Sequence, residues 1–174
     1  MHRAVVLAFL VLAALPKWAV AESLVAYRIV DEAIAEPLTA ELGDPVRGRR
    51  IVRDTSNVTC LICHAMPIPE DPDHGTIGPP LAGVGDRYSA AELRLRLVDP
   101  KILNPETVMP SYYRVDSLFR VPEAYRDRTI YSAQEIEDVI AYLTTLRDRD
   151  QQTSVATTAR AVVGQPGRDD QRYD

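Results

Sequence analysis

Two cysteines separated by two residues and followed directly by a histidine stand at positions 60–64, as Cys60-Leu61-Ile62-Cys63-His64. This spacing is the attachment signature of c-type haem: each thiol adds to one vinyl group of the ring, and the histidine binds the iron. The chain contains only 2 cysteines and 3 histidines, so their meeting within five positions is a specific signal. The motif predicts one covalently attached haem c held by Cys60, Cys63 and His64.

The N-terminus has the features of a secretory signal peptide. After a short positive region, residues 4–15 form an unbroken apolar run, and residues 19–21 have the small-x-small form of a cleavage site. This apolar run is too short for a comfortable membrane span, so cleavage after Ala21 is favoured over an uncleaved anchor. We expect an exported chain of residues 22–174 without a membrane span.

Composition adds a limit on partners. The formal net charge is −5, and removal of the leader takes away two further basic residues. An acidic chain of this kind is not expected to bind nucleic acid. Its hydrophobic and charged content, 46% and 26%, is that of a single globular domain.

Other uses of the cysteine pair are weaker. An exported chain with two cysteines ordinarily forms one disulfide, but the spacing and the adjacent histidine argue otherwise. A thioredoxin-type redox site needs a neighbouring strand and helix, whereas residues 44–59 before the motif are predicted to be one helix. A zinc site needs a second pair of ligands, and none follows.

An electron-transfer haem needs a second axial ligand, which is usually a methionine thioether where a raised potential is wanted. Beyond the initiator, the methionines are Met66 and Met109. Met66 follows His64 by two residues and is too close to reach the opposite face of the ring. Met109 is the candidate, in a proline-punctuated loop at 104–110. Two alternatives stay open: Met109 fills a gap in the core, or His74 binds the iron.

The segment at 77–85 is too rich in glycine and proline for a regular element. It resembles the Gly-Pro-x-Leu-x-Gly loop of class I cytochromes c. An iron-bound histidine usually donates its other ring N–H to a carbonyl or carboxylate. The resemblance offers the Pro79 carbonyl for that role, with an ordinary surface turn as the alternative.

Capping signals predict three helices. Asp44 and Pro45 open the helix over 44–59, and two capping boxes open the others, Ser89 with Glu92 and Ser132 with Glu135. The apolar face of the first helix is Val46, Ile51 and Val52, the second helix ends near Val98, and the third presents Ile136, Val139, Ile140 and Leu143.

We expect the third of these helices to pack on the first around the haem. The sequence shows no convincing strand. The predicted fold is all-α with long loops, divided into a signal peptide at 1–21, an N-terminal arm at 22–43, a cytochrome c domain at 44–149 and a flexible polar tail at 150–174.

Several segments together carry a more specific resemblance. They are 35–45, 60–64, 77–83, 104–114 and 137–143. With them the chain resembles the SoxX family, the monohaem subunits of the SoxAX cytochrome complexes of bacterial sulfur oxidation, over about Ile34 to Arg147. The most specific parts are Pro-Leu-Thr at 37–39 and Met-Pro-Ser-Tyr-Tyr at 109–113. One departure is Asn57-Val58-Thr59, where Gly-Asn is expected before the first cysteine.

The resemblance implies a class I cytochrome c-like fold and a periplasmic heterodimer with a SoxA-like cytochrome, which carries the active-site cysteine. The complex, an L-cysteine S-thiosulfotransferase, joins thiosulfate oxidatively to a cysteine of a SoxY-type carrier protein. This chain accepts the electrons and passes them to a downstream acceptor, expected to be another cytochrome. Haem uses both of its cysteines, so no thiol remains here for sulfur chemistry.

Two other functions stay open at this stage. A free periplasmic cytochrome c carrier shares every haem feature and lacks only the obligate partner. A haem enzyme or gas sensor with an open iron requires that Met109 does not bind.

Processing and haem attachment are tested together by intact mass. We expect the mature protein to have the mass of residues 22–174 plus one haem, because haem is attached after export. Mass spectrometry of the native protein measures this directly. A mass that retains residues 1–21 would indicate a membrane anchor.

Overall fold

The computed structural model describes residues 24–148, which form four α-helices joined by long loops. The helices are α1 (Pro45–Arg53), α2 (Val84–Arg87), α3 (Ala90–Val98) and α4 (Ala133–Leu143), with short 3₁₀ turns at Cys60–Ile62, Pro100–Ile102 and Glu123–Tyr125. Within 24–148 there is no strand, only an isolated bridge between Val30 and Ala33. The predicted all-α class is confirmed, while the proposed signal peptide at 1–21 and tail at 150–174 lie outside the described residues.

Helix α1 begins as its capping signal predicts. Asp44 Oδ1 accepts hydrogen bonds from the amides of Val46 at 2.7 Å and Arg47 at 3.3 Å, and Pro45 occupies the first turn. These bonds satisfy amide groups that have no partner within the helix.

The predicted extent of this helix, 44–59, is wrong at its C-terminal end, because α1 ends at Arg53. Asp54 Oδ1 accepts hydrogen bonds from both the amide and the hydroxyl of Ser56, and Asn57 Oδ1 accepts one from the amide of Val58. Short polar side chains that bind nearby amides compete with the helical ladder and end it.

Helix α1 packs against α4, as the sequence predicts. The contact is made at Gly48 and Val52, which are both buried, whereas Val46 is exposed and does not belong to the packed face. A Cβ atom at Gly48 would lie 1.9 Å from the Asp138 carbonyl oxygen. The two helix backbones therefore meet at a distance that only glycine allows.

Both capping boxes are present and open α3 and α4 at the predicted residues. Ser89 and Ser132 each accept a hydrogen bond from the amide of the glutamate three positions later, whose carboxylate binds back to the serine amide. The four predicted face residues of α4 are all buried: Ile136, Val139, Ile140 and Leu143. Helix α4 thus forms the centre of the core, between α1 and α3.

The arm before α1 is extended and is fixed to the helices by a buried ion pair. Arg94 on α3 donates to Glu137 on α4, with Nε to Oε1 at 2.7 Å, and both side chains are almost fully buried. Arg94 Nη1 also donates to the Ile34 carbonyl at 2.7 Å, and Glu137 Oε1 accepts from the Leu38 amide at 2.9 Å. One ion pair therefore joins the arm, α3 and α4.

None of the helices within residues 24–148 is both long enough and apolar enough to cross a membrane.

The buried ion pair gives a stability prediction. We expect Glu137→Gln to lower the free energy of unfolding by about 3 kcal/mol, because it leaves the Arg94 charge buried without a counter-charge. Urea unfolding of the holoprotein, followed by far-UV circular dichroism, measures the change.

The matched control is Glu41→Gln, which removes the exposed partner of Arg47. An exposed pair contributes about 1 kcal/mol or less, so this variant should unfold close to the parent protein. Equal decreases in the free energy of unfolding in the two variants would show that the buried pair stabilises the fold no more than the exposed pair does.

Candidate functional site

A cavity of about 670 Å³ brings together every residue that the sequence singled out as haem-binding. Cys60, Cys63, His64, Pro79 and Met109 all line it. Most of the remaining lining side chains are apolar. The structure therefore places segments far apart in sequence around one apolar space.

The two rival residues are placed elsewhere. His74 is exposed on its loop and does not line the cavity. Met66 is buried in the hydrophobic core and does not line the cavity either.

The cysteine motif is held by a tight turn. The amides of Cys63 and His64 both donate to the Cys60 carbonyl, at 3.1 and 2.8 Å. Before the motif, the buried hydroxyl of Thr59 donates to the Val52 carbonyl near the end of α1. Helix α1 thus positions the turn, and the turn brings both thiols and the imidazole to the same cavity.

Burial raises the pKa of the Cys60 thiol to about 12. A reactive cysteine of thioredoxin type instead needs a lowered pKa, so that the thiolate is present at neutral pH. The environment of Cys60 therefore disfavours a dithiol redox site.

His64 is oriented by a backbone contact. Its Nδ1 lies 2.7 Å from the Pro79 carbonyl oxygen, so Nδ1 carries the proton and donates it. The other ring nitrogen, Nε2, then has its lone pair available for a metal. This is the contact that the glycine and proline loop was predicted to offer.

The loop that supplies this carbonyl passes directly against the imidazole. A Cβ atom at Gly78 would lie 2.3 Å from His64 Cε1, so a larger residue would displace the ring. Arg87 holds the rest of the loop by donating to the carbonyls of Pro80 and Ala82 at 2.9 and 2.7 Å. The prediction that 77–85 contains no regular element needs one correction, because α2 already begins at Val84.

Met109 lies on a loop that is anchored on both sides of it. Its amide donates to Thr107 Oγ1 at 3.2 Å, and the Tyr112 amide donates to the Leu97 carbonyl on α3 at 2.9 Å. Lys101 Nζ donates to the Thr107 carbonyl at 2.9 Å. These bonds give an irregular segment a defined position beside the cavity.

Several further residues that line the cavity were not predicted from the sequence. Tyr112 lines the cavity and stacks on Tyr131, with ring centroids 4.7 Å apart and planes at 18°. Burial raises the pKa of both phenols, which stay neutral. Tyr131 Oη also donates to the Val58 carbonyl at 3.1 Å and so fixes the turn before the motif. The only sequence signal was the Tyr-Tyr pair beside Met109.

Two cations also line the cavity, Arg87 and Arg96. The guanidinium of Arg96 lies over the ring of Tyr88, 3.8 Å from its centroid. Arginines at an apolar cavity suit a ligand with carboxylate groups. These residues were not predicted, because helix periodicity does not show which cations face a cavity.

The arrangement fits a c-type haem. Two thiols, an imidazole whose Nε2 is free to bind a metal, and a thioether line one cavity, and the rest of its lining is mostly apolar. The arginines suit the two propionates of the ring.

The chain is similar to known proteins both in sequence and in structure. The sequence model of the cytochrome c family matches residues 45–147. No curated protein sequence matches the chain. Among solved structures, the chain is similar to one in the crystal structure of SoxXA from P. pantotrophus, with 36% identity and a TM-score of 0.61. The similarity covers 70% of this chain and 94% of that one.

The position of Met109 gives a ligation prediction. We expect the oxidised protein to show the weak near-infrared band of sulfur bound to iron, and Met109→Ala to abolish the band and lower the reduction potential. Absorbance and redox titration of the holoprotein measure both.

His74→Ala is the matched control, because His74 is exposed and away from the cavity. It should leave the band and the potential unchanged. A band that persists in Met109→Ala would exclude Met109 as the ligand.

Proposed function

The chain belongs to the cytochrome c family, and from this premise we propose that it is the monohaem, electron-accepting subunit of a SoxAX-type complex. The cytochrome c fold and the resemblance to SoxX inferred from the sequence are confirmed by the family match and by the similarity to SoxXA. The observation that carries the proposal is that this similarity extends over 94% of the SoxXA chain at 36% identity.

The residues have the following roles. One covalently attached haem c supplies a reversible one-electron couple at the site. Cys60 and Cys63 would hold the haem through thioether bonds, and His64 would bind its iron through Nε2, with the Nδ1 proton donated to the Pro79 carbonyl. Met109, which lines the same cavity, would supply the second iron ligand through its thioether.

The sulfur chemistry takes place on the partner, a SoxA-like cytochrome, in a periplasmic heterodimer. A thiol of a SoxY-type carrier protein and thiosulfate form a new S–S bond, and the reaction releases one proton and two electrons. With one haem, this chain takes up one electron at a time and passes it to a downstream acceptor, another cytochrome. Because both of its cysteines hold the haem, the chain contributes electron transfer and not the reactive thiol.

The surface at the cavity mouth supports a protein partner. Ile62, Ile77 and Val108 all line the cavity, and their exposed fractions are 56%, 72% and 80%. We assign to the partner the parts of these side chains that the haem does not cover, because exposed large apolar side chains gathered at one place are typical of a surface that another protein covers. A free periplasmic cytochrome c carrier is the second candidate, because transient docking would use the same surface.

Reconstitution tests the proposal. The isolated holoprotein should be reduced by small donors but should not support thiosulfate transfer to a SoxY-type carrier. Addition of the SoxA-like cytochrome encoded in the same organism should restore transfer, and the haem of this chain should become reduced during turnover. Absorbance and carrier mass measure the two events.

The surface is tested with a matched pair of variants. Val108→Asp should weaken binding to the SoxA-like partner by about tenfold or more, because it buries a carboxylate in an apolar contact. Leu42→Asp, at an equally exposed apolar residue outside the cavity, should bind normally.

Full activity in the isolated chain, or a complex that works without this haem, would contradict the proposal.

A further inference from the structure

Asp99, which follows the last residue of α3, accepts hydrogen bonds from three residues that lie outside that helix. Its side chain is almost fully buried, with 5% exposed. Oδ1 accepts hydrogen bonds from the Ser111 hydroxyl at 2.9 Å and from the Lys101 amide at 3.3 Å, and Oδ2 accepts one from Arg114 Nη1 at 2.7 Å. No donor among these comes from α3 itself.

The partners of Asp99 lie at the two ends of the loop that carries Met109. Lys101 lies in the 3₁₀ turn that leads into the loop, and Ser111 follows Met109 by two residues. The carboxylate therefore closes the loop at its neck. The ion pair with Arg114 adds a further contact on the C-terminal side of Ser111.

The charge of Asp99 is unfavourable at this position for the helix alone. The C-terminal end of a helix carries a partial negative charge, which disfavours a nearby carboxylate. The arginine and hydroxyl offset this cost, because hydrogen bonds to an ionised, buried group are stronger than neutral ones. A carboxylate here is thus explained by the 3₁₀ turn that it caps and by the loop, and not by α3.

We propose that Asp99 is a positioning residue for Met109, which it keeps against the iron by closing the neck of the loop. The inference rests on the proposed ligation by Met109 and goes beyond it, because the hydrogen bonds of the Asp99 carboxylate go to Lys101, Ser111 and Arg114 and not to His64 or Met109. Removal of the charge should let the loop open more often without unfolding the protein. Met109 should then leave the iron more often.

The experiment measures loop opening in the oxidised holoprotein through the rate of cyanide binding. Cyanide takes the site that Met109 vacates, so at low cyanide the rate is proportional to the open fraction. Asp99→Asn keeps the shape and loses the charge, and should raise the rate about tenfold or more. Ser111→Ala and Arg114→Met each remove one partner, and should raise it in the same direction.

The matched control is Asp116→Asn. Asp116 also faces Arg114, at 3.7 Å between Arg114 Nε and Asp116 Oδ1, but it is 74% exposed and far less constrained. It should change the rate by less than twofold.

A second measurement separates positioning from simple stabilisation. In Asp99→Asn the thermal midpoint for loss of the near-infrared band should fall, while the far-UV circular dichroism midpoint stays close to that of the parent. Parallel falls of both midpoints, or a cyanide rate within twofold of the parent in all three variants, would overturn the proposal. Absence of the band in the parent protein would instead refute ligation by Met109, and the positioning role with it.

Discussion

The backbone contact between α1 and α4 at Gly48 sets the frame on which the rest of the structure depends. Because a Cβ atom there would lie 1.9 Å from the Asp138 carbonyl, the helices pack at a minimal distance. Arg47 Nε donates to Asp138 Oδ2 at 2.7 Å beside the crossing and adds an ion pair between the two helices. The cysteine turn follows α1, and Leu143 of α4 lines the cavity. The crossing therefore determines where one wall of the haem site stands.

Much of the remaining lining comes from loops, and buried polar side chains give these loops their positions. Thr59, Arg94, Asp99 and Glu137 are each almost fully buried, and each one binds a residue outside its own helix or turn, from 7 to 99 positions away. A buried polar group is costly unless its hydrogen bonds are made, so each such contact is stable only in the closed arrangement. The long loops thus gain definition without regular secondary structure.

Local signals account for what the sequence predicted well. The capping boxes at Ser89 and Ser132 depend on residues three positions apart, and the apolar face of α4 depends on helix periodicity. The attachment motif is also local. The end of α1 was missed because Asp54 and Asn57 compete with the helix through their side chains, which a periodicity argument ignores.

Contacts between distant segments account for what was not predicted. The side chain of Val46 was assigned to the packed face of α1, but the close approach at Gly48 turns that face toward α4 and leaves Val46 exposed. The stacking of Tyr112 on Tyr131 and the place of Arg96 at the cavity depend on how loops and helices meet. None of these follows from spacing along the chain.

The burial of Cys60 favours one order of events in biogenesis. Only 5% of this residue is exposed, and its turn is held to α1 by the Thr59 hydroxyl. The thiol faces the cavity and is shielded from solvent, so an enzyme that carries haem reaches it more easily before the turn closes than after. We therefore expect thioether formation to be faster on a chain that has not yet folded, because the contacts that hold the finished site also limit access to it.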